Sequence, residues 1–504
     1  MRLVEQGFEY VAEMDSVNLF RNGKNFELFF DGDLNKLVIG KYQLMSMSKA
    51  IAVMLGFCIL LSFCIIAFQS VNAYSSSDDW AMFLHDSAHT GVTTSNGPQQ
   101  PVKLWSYAEG HFDGSQIGSS AAIVNGVVYV GSNWNNNANQ LYDSGSIYAF
   151  NAHTGAKIWN FSTDSAVYSS PAVSGNVLYV GADNSVYAFN ASTGTKLWSY
   201  PTGGGINSSP VIVNGIVYIG SYDNNVYALD SSTGDKLWNY TTEGAVASSP
   251  AVVNGIVYVG SNDGNVYALD AATGAKIWNY TTSVQPLYSS GNQVTSSPAV
   301  SDGVVYVGSV GGNIYALNAS TGDKIWNYFT NPTFYYGGGY FGGVQASPTV
   351  ANGVVYIGSI GGNVPANVYA LNASTGNQIW QYHVPGINTR ILSSAAVSND
   401  VVYLGISNNV YAINATTGFQ IWDFSTQNQI IASPAVFDGA VYFGSQDGNF
   451  YAIGEPTVKP SISSDQTLLI LLAVSVAVIA VIFLALKKKR VDNNAVQEQM
   501  LRRG

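Results

Sequence analysis

The chain has 504 residues, with 52 Gly, 32 Tyr and 10 Trp but only 10% charged residues, against about 25% in ordinary globular proteins, which excludes both a disordered chain and an ordinary helical enzyme. Its formal net charge is -11, and residues 74–459 hold 8 bases against 21 acids (8 − 21 = −13), which excludes nucleic-acid binding through a basic face. Both cysteines, Cys58 and Cys64, lie in one apolar run, so disulfide scaffolds, thiolate metal sites and cysteine nucleophiles are excluded from everything that follows them.

In chain order, residues 1–47 read as a gene-model extension, with Met45 or Met47 as the natural start, or as a cytoplasmic segment. Residues 48–73 read as a signal peptide. The stretch 51–68 is uncharged and mostly apolar, Lys41 and Lys49 precede it, and Val71-Asn72-Ala73 is a small-residue pattern suited to cleavage. The alternative is an uncleaved signal anchor. After a linker over 456–466, residues 467–486 form 20 uncharged residues followed at once by Lys487-Lys488-Lys489-Arg490. That is long enough for a transmembrane helix. By the positive-inside rule the tail 487–504 stays in the cytoplasm and the region between the two apolar segments lies outside.

Residues 80–455 repeat one unit. In 249–280 it runs Ser249-Pro250-Ala251-Val252, Gly255-Ile256-Val257-Tyr258-Val259-Gly260, Asn265-Val266-Tyr267-Ala268-Leu269, Thr273-Gly274 and Ile277-Trp278-Asn279-Tyr280. Four short β-rich runs separated by Gly, Asn and Asp turns predict a four-stranded antiparallel meander, its strands lettered a to d. The strand b tyrosine recurs at Tyr129, Tyr179, Tyr218, Tyr258, Tyr306, Tyr356, Tyr403 and Tyr442. On strand c the series is Tyr148, Tyr187, Tyr227, Tyr267, Tyr315, Tyr369, Tyr411 and Tyr451. A 40-residue spacing of Trp198, Trp238 and Trp278 falls in the range of propeller blades. The last unit stops after strand c, whereas a lone Leu104-Trp105-Ser106-Tyr107 stands before the first. We expect that segment to complete blade eight and to close the ring. The fold class is therefore all-β: an eight-bladed β-propeller of four-stranded antiparallel blades, plus a C-terminal transmembrane helix.

The unit with Tyr-Ala-Leu, Asp or Asn, Thr-Gly and Trp resembles the pyrroloquinoline-quinone-type β-propeller repeat, shared by quinoprotein alcohol dehydrogenases and by the BamB-like outer-membrane assembly scaffold. The dehydrogenase side of the resemblance implies a vicinal cysteine pair over the quinone, calcium-binding acids and a catalytic Asp. No cysteine follows Cys64 and no insertion carries clustered acids. We therefore expect a binding or scaffold propeller without catalysis, with no cofactor, no metal and no catalytic residue; the alternative is a quinone- or metal-dependent oxidoreductase.

Three sets of residues carry the remaining chemistry. His85-Asp86-Ser87-Ala88-His89 is a loose echo of the two-His zinc motif. Against it stand the short Asp86, the want of a third ligand, and Thr90-Gly91 in place of an apolar helix; packing of the segment against the blade-eight closure is the expectation. His111, His153 and His383 are scattered singly and receive no role. Asp223, Asp263 and Asp447 lie in b-to-c turns, where tight hairpins account for them without calcium. Sequons stand at Asn160, Asn190, Asn207, Asn239, Asn279, Asn318, Asn372 and Asn414; an outside location permits glycans there, and repetition of the Asn-Ala-Ser-Thr-Gly turn explains much of the count.

Because strands alternate in direction, b-to-c and d-to-a loops share one face. The longer ones, 133–143, 359–367, 281–295 and 329–345, all fall on it. They bring Trp134, Tyr142, Tyr288, Phe334, Tyr335, Tyr336, Tyr340 and Phe341, aromatics of the kind enriched at binding surfaces. We expect this face to bind an unidentified protein or carbohydrate and both propeller termini to point to the membrane.

Overall fold

The computed structural model describes residues 9–14, 17–22, 25–30, 33–39, 79–108, 116–134, 144–282, 292–330, 343–361, 365–386 and 389–455. Strands b and c of the repeat are buried on both faces, as in Ile256–Gly260 and Asn265–Asp270, whereas strand d, as in Lys276–Thr281, alternates between exposed and covered positions. At the a-to-b turns, Asn125-Gly126, Asn214-Gly215 and Asn254-Gly255 all take positive φ, the backbone that a two-residue hairpin requires.

The chain divides into two units, Met1–Ala73 and Tyr74–Gly504. The first contains an antiparallel meander of Glu9–Met14, Val17–Asn22, Asn25–Phe30 and Asp33–Ile39. Asn22-Gly23 and Asp31-Gly32 are the hairpin signals in the sequence of this stretch.

In the second unit, eight four-stranded antiparallel blades, numbered 1 to 8, lie at 122–163, 172–201, 211–241, 251–281, 299–329, 349–383, 396–425 and 435–454 with 103–108, and the sheet of blade 7 gains Val92–Thr93 as a fifth strand. Blade 8 closes as expected. Asn449–Gly454 pairs antiparallel with Lys103–Ala108, in the register Phe450↔Tyr107, Tyr451↔Ser106 and Ala452↔Trp105.

The core lies between blades. One cluster joins Val211, Tyr218, Val226 and Trp238 of blade 3 to Val252, Val257, Val259 and Leu269 of blade 4, and the same slab recurs between blades 4 and 5. Each strand d tryptophan docks on the c-to-d turn of the next blade. The indole of Trp278 donates to the Ala319 carbonyl at 2.9 Å, and the Tyr258 hydroxyl donates to that same oxygen at 3.1 Å. At Gly322, which has φ +77, a Cβ would come within 2.8 Å of the Trp278 ring. Only glycine satisfies both the turn and the indole above it.

Blade 8 has no c-to-d turn of its own. There the Pro98 carbonyl takes the turn's place and accepts from Trp422 Nε1 at 3.2 Å and the Tyr403 hydroxyl at 3.3 Å. Among the described residues no helix is long and apolar enough to cross a membrane. Residues 51–68 and 467–486 lie outside the described residues, as does the whole of 456–504.

Candidate functional site

The innermost strand of each blade runs beside the axis, and a serine stands two residues before it. Ser120, Ser170, Ser209, Ser249, Ser297, Ser347, Ser394 and Ser433 occupy equivalent places and are all buried. The amide of each donates to the hydroxyl oxygen of the next, from Ser120 N to Ser170 Oγ at 3.0 Å round to Ser433 N to Ser120 Oγ at 2.8 Å. Eight hydrogen bonds thus close a circle about the axis. The position admits serine because a buried amide needs an acceptor and only a short hydroxyl fits between adjacent inner strands.

Residues 79–98 form a strap round the inside of that ring. Its carbonyls accept from inner-strand amides in succession: Trp80 O from Ile123 N, Ala81 O from Val173 N, Ser87 O from Val252 N, Ala88 O from Val300 N, Thr90 O from Val350 N and Gly91 O from Val397 N. Val92–Thr93 then pairs in parallel with Ala396–Ser398, and Asn96 O accepts from Gly439 N. The expectation that the segment packs against the blade-eight closure is too narrow. Trp80 does join the cluster of blades 1 and 8, but the strap bonds to blades 1, 2 and 4 to 8. It runs along these inner strands, and Asp79 Oδ1 accepts from Asn125 N at the a-to-b turn of blade 1.

The two strap histidines flank a turn capped by Asp86, and His85 Nδ1 and Nε2 and His89 Nε2 are buried without a hydrogen bond among the described residues. Asp86 Oδ1 accepts from Ala88 N at 2.9 Å and Thr90 N at 3.1 Å, and Oδ2 accepts from the Thr90 hydroxyl, so the acid caps its own turn. His89 is fully buried, with Nδ1 3.0 Å from the Pro298 carbonyl and its ring edge-on to Phe83 at 5.4 Å. Burial pushes its pKa down to about 4, against the raising influence of Pro298 O and Asp86, so the ring is neutral in the fold. His85 lies edge-on to Trp80 at 5.1 Å, with Nδ1 3.8 Å from Asp86 Oδ2. Among the described residues no three His, Cys, Asp or Glu side chains gather as a metal site.

The b-to-c acids are staples. Asp223 Oδ2 accepts from the Tyr227 hydroxyl at 2.7 Å and from Gly203 N at 2.6 Å in the preceding d-to-a loop, while Oδ1 accepts from Asn225 N at 3.0 Å. Asp263 repeats this with Tyr267, Glu243 and Asn265, and Asp447 with Tyr451, Gln427 and Asn449. Burial raises the Asp223 carboxyl pKa, but the hydrogen bonds from Tyr227, Asn225 and Gly203 outweigh it and hold the group below its ordinary value. Hairpin chemistry accounts for these acids, and it also ties each hairpin to its neighbouring loop.

On the opposite end of the axis lies the face of the b-to-c and d-to-a loops. Trp134 is the one expected binding residue that is described, and it stands on a strand rather than in a loop. Strand b of blade 1 extends over Val127–Trp134, with Asn133↔Gly145 and Trp134↔Ser144 prolonging the hairpin. Beside it the Asn133 amide group is buried and has no partner among the described residues. Tyr142, Tyr288, Phe334, Tyr335, Tyr336, Tyr340 and Phe341 lie outside the described residues. Charge distinguishes this face. Six lysines each open an outer strand (Lys103, Lys157, Lys196, Lys236, Lys276 and Lys324), which leaves Arg390 as the sole base in the sequence of these loops. Against it stand Glu109, Asp113, Asp143, Asp164, Asp183, Asp223, Glu243, Asp263 and Asp447.

Comparison with known proteins agrees with the architecture. No curated protein matches the sequence. The fold is shared with BamB from Moraxella catarrhalis, at 17% identity and a TM-score of 0.55 over 71% of this chain and 100% of that one. It is shared also with a europium-containing methanol dehydrogenase, at 13% identity and a TM-score of 0.62 over 75% and 98% of the two chains. A third similar structure is the quinohemoprotein alcohol dehydrogenase from Comamonas testosteroni, with 16% identity and a TM-score of 0.62 over 75% and 81%. The sequence model for outer membrane protein assembly factor BamB matches residues 94–209, 201–367 and 364–459. Those stretches take in most of the chain and all eight blades, and the protein belongs to that family.

Proposed function

We propose that the protein is a membrane-anchored, extracytoplasmic binding or scaffold propeller that performs no chemistry, its loop face presented to a protein or carbohydrate partner. The observation that carries this reading is the occupation of the axis. The strap takes up amides of seven blades, and the serine ring spends its amides on its own hydroxyls. What remains for a ligand is the loop face. Both propeller termini support the orientation: Lys103 opens, and Gly454 ends, at the face of the a-to-b and c-to-d turns. The apolar stretch 467–486 begins 12 residues after 455 (467 − 455 = 12).

The rival, a quinone- or metal-dependent oxidoreductase, draws on the fold shared with the dehydrogenases. Against it, the vicinal cysteine pair that the resemblance implies has no counterpart, since no cysteine follows Cys64.

The test is capture from native membranes by the full-length chain, compared with a variant in which Tyr335, Tyr336, Tyr340 and Phe341 are replaced by Ser. Loss of the captured partner at an unchanged melting temperature is expected. Equal capture by the variant would take the aromatic face out of the account.

A further inference from the structure

Eight sequons on eight repeats would be unremarkable if repetition placed them identically, but it does not. Blades 1, 3 and 4 carry theirs on the outer strand, at Asn160, Asn239 and Asn279, directly after the tryptophan. Blades 2, 5, 6 and 7 carry theirs where strand c enters the c-to-d turn, at Asn190, Asn318, Asn372 and Asn414. No blade has both. Where the turn residue is Asp230 or Asp270, or Asn151 with His153 two places on, the outer strand supplies the sequon. Where the turn supplies it, the outer strand has Ser199, Gln381, Asp423, or Asn327 followed by Tyr328-Phe329.

From this alternation we infer that the outer rim is N-glycosylated, with one glycan on each of blades 1 to 7 and none on blade 8. The inference rests on the extracytoplasmic location proposed above. Three features of the structure support it. In all seven sequons the hydroxyl residue, at Ser162, Ser192, Thr241, Thr281, Ser320, Ser374 and Thr416, is exposed, as its recognition by a transferase requires. At the four turns the asparagine Oδ1 is held by amides two and three residues on, at 2.8 to 3.1 Å, and Nδ2 has no hydrogen bond among the described residues, whereas on strand d Asn239 and Asn279 Nδ2 donate to Asn225 and Asn265 Oδ1. The outer strand of each blade also presents an unpaired edge, the feature that β-proteins must shield against edge-to-edge association. A glycan on that strand or its turn shields it. Blade 8, whose outer strand comes from Lys103–Ala108, is left bare.

Asn207 is the internal contrast. It lies in a d-to-a loop and its hydroxyl residue is Ser209, which is buried in the axial ring with Oγ accepting from Ser170 N at 3.0 Å. The folded chain withholds this sequon. In the modification itself, Asn Nδ2 attacks the anomeric carbon of a lipid-phosphate-linked oligosaccharide. The nitrogen–carbon bond forms, the carbon–oxygen bond to phosphate breaks with its electron pair leaving on the lipid phosphate, and the amide gives up one proton.

The experiment labels intact native cells with a membrane-impermeant amine reagent, then purifies the full-length chain and maps both labels and glycans by peptide mass spectrometry. Labelled strand d lysines, glycans on the seven rim asparagines and an unmodified Asn207 are expected. Ser320→Ala, which keeps the Asn318 turn but removes the sequon, should lose one glycan mass. Labelled lysines with seven bare asparagines would overturn the inference and leave the location standing. Absence of both label and glycan would overturn location and inference together. Occupancy at Asn207 equal to that of the rim would also overturn it, since burial would then select nothing.

Discussion

Each blade hangs its neighbour on one carbonyl oxygen. Ala319 O, for example, accepts from both Tyr258 and Trp278, so losing one donor leaves the acceptor paired. Tyr258→Phe should therefore cost only about 1 kcal/mol in urea unfolding. Trp278→Ala, which also empties a buried interblade site, should cost about 3–5 kcal/mol. Gly322→Ala is a harsher test than its size suggests, because the new methyl meets the indole at 2.8 Å from a backbone at φ +77. A loss of about 1–3 kcal/mol is expected. His89 sets a pH dependence. Its pKa in the fold is about 4 against an ordinary 6.5, so between those values the unfolded chain takes up a proton that the fold refuses. Stability is full above about pH 6.5 and falls towards pH 4, by roughly 3 kcal/mol. Thermal melts across that window should show the fall, and His89→Leu should flatten it even if its plateau is lower.

At the level of elements, legibility followed side-chain pattern. The tyrosine and tryptophan series are spaced by the repeat, so the four strands of each blade and the closure of the ring by residues 104–107 were readable from them. The strap was not. It bonds through its own carbonyls to inner-strand amides, and a backbone acceptor leaves no periodic mark on the sequence. His85 and His89 drew attention as a ligand pair, whereas the fold uses Asp86 to cap the turn and His89 to fill the space beside Phe83 and Pro298. The strap's energetic place can be measured. Trp80 is buried in the cluster that joins blades 1 and 8, and Trp80→Ala should cost about 3–5 kcal/mol. Deleting 80–107 removes both strap and closing strand; the expected outcome is aggregation through the exposed edge of Asn449–Gly454, seen as loss of the monomer peak in light scattering.

Across the propeller, closure explains why a region of such length and low charge holds together: each blade needs only its two neighbours, the serine ring and the tryptophan docks run right round it, and the strap bonds to seven of its blades. The expected aromatic site was legible as composition but not as geometry, since only Trp134 falls on a described element and there it extends a strand. Charge placement was fully legible in retrospect, because the lysines that open strand d are fixed by the repeat and leave the loop face to its acids and Arg390. That distribution, with the strap along the axis, is what the proposed binding role rests on. The direct measurement is titration of the full-length protein with pyrroloquinoline quinone in the presence of calcium, followed by absorbance and by dye reduction with alcohols. No bound quinone and no dye reduction are expected; stoichiometric quinone absorbance with alcohol-dependent reduction would contradict the account.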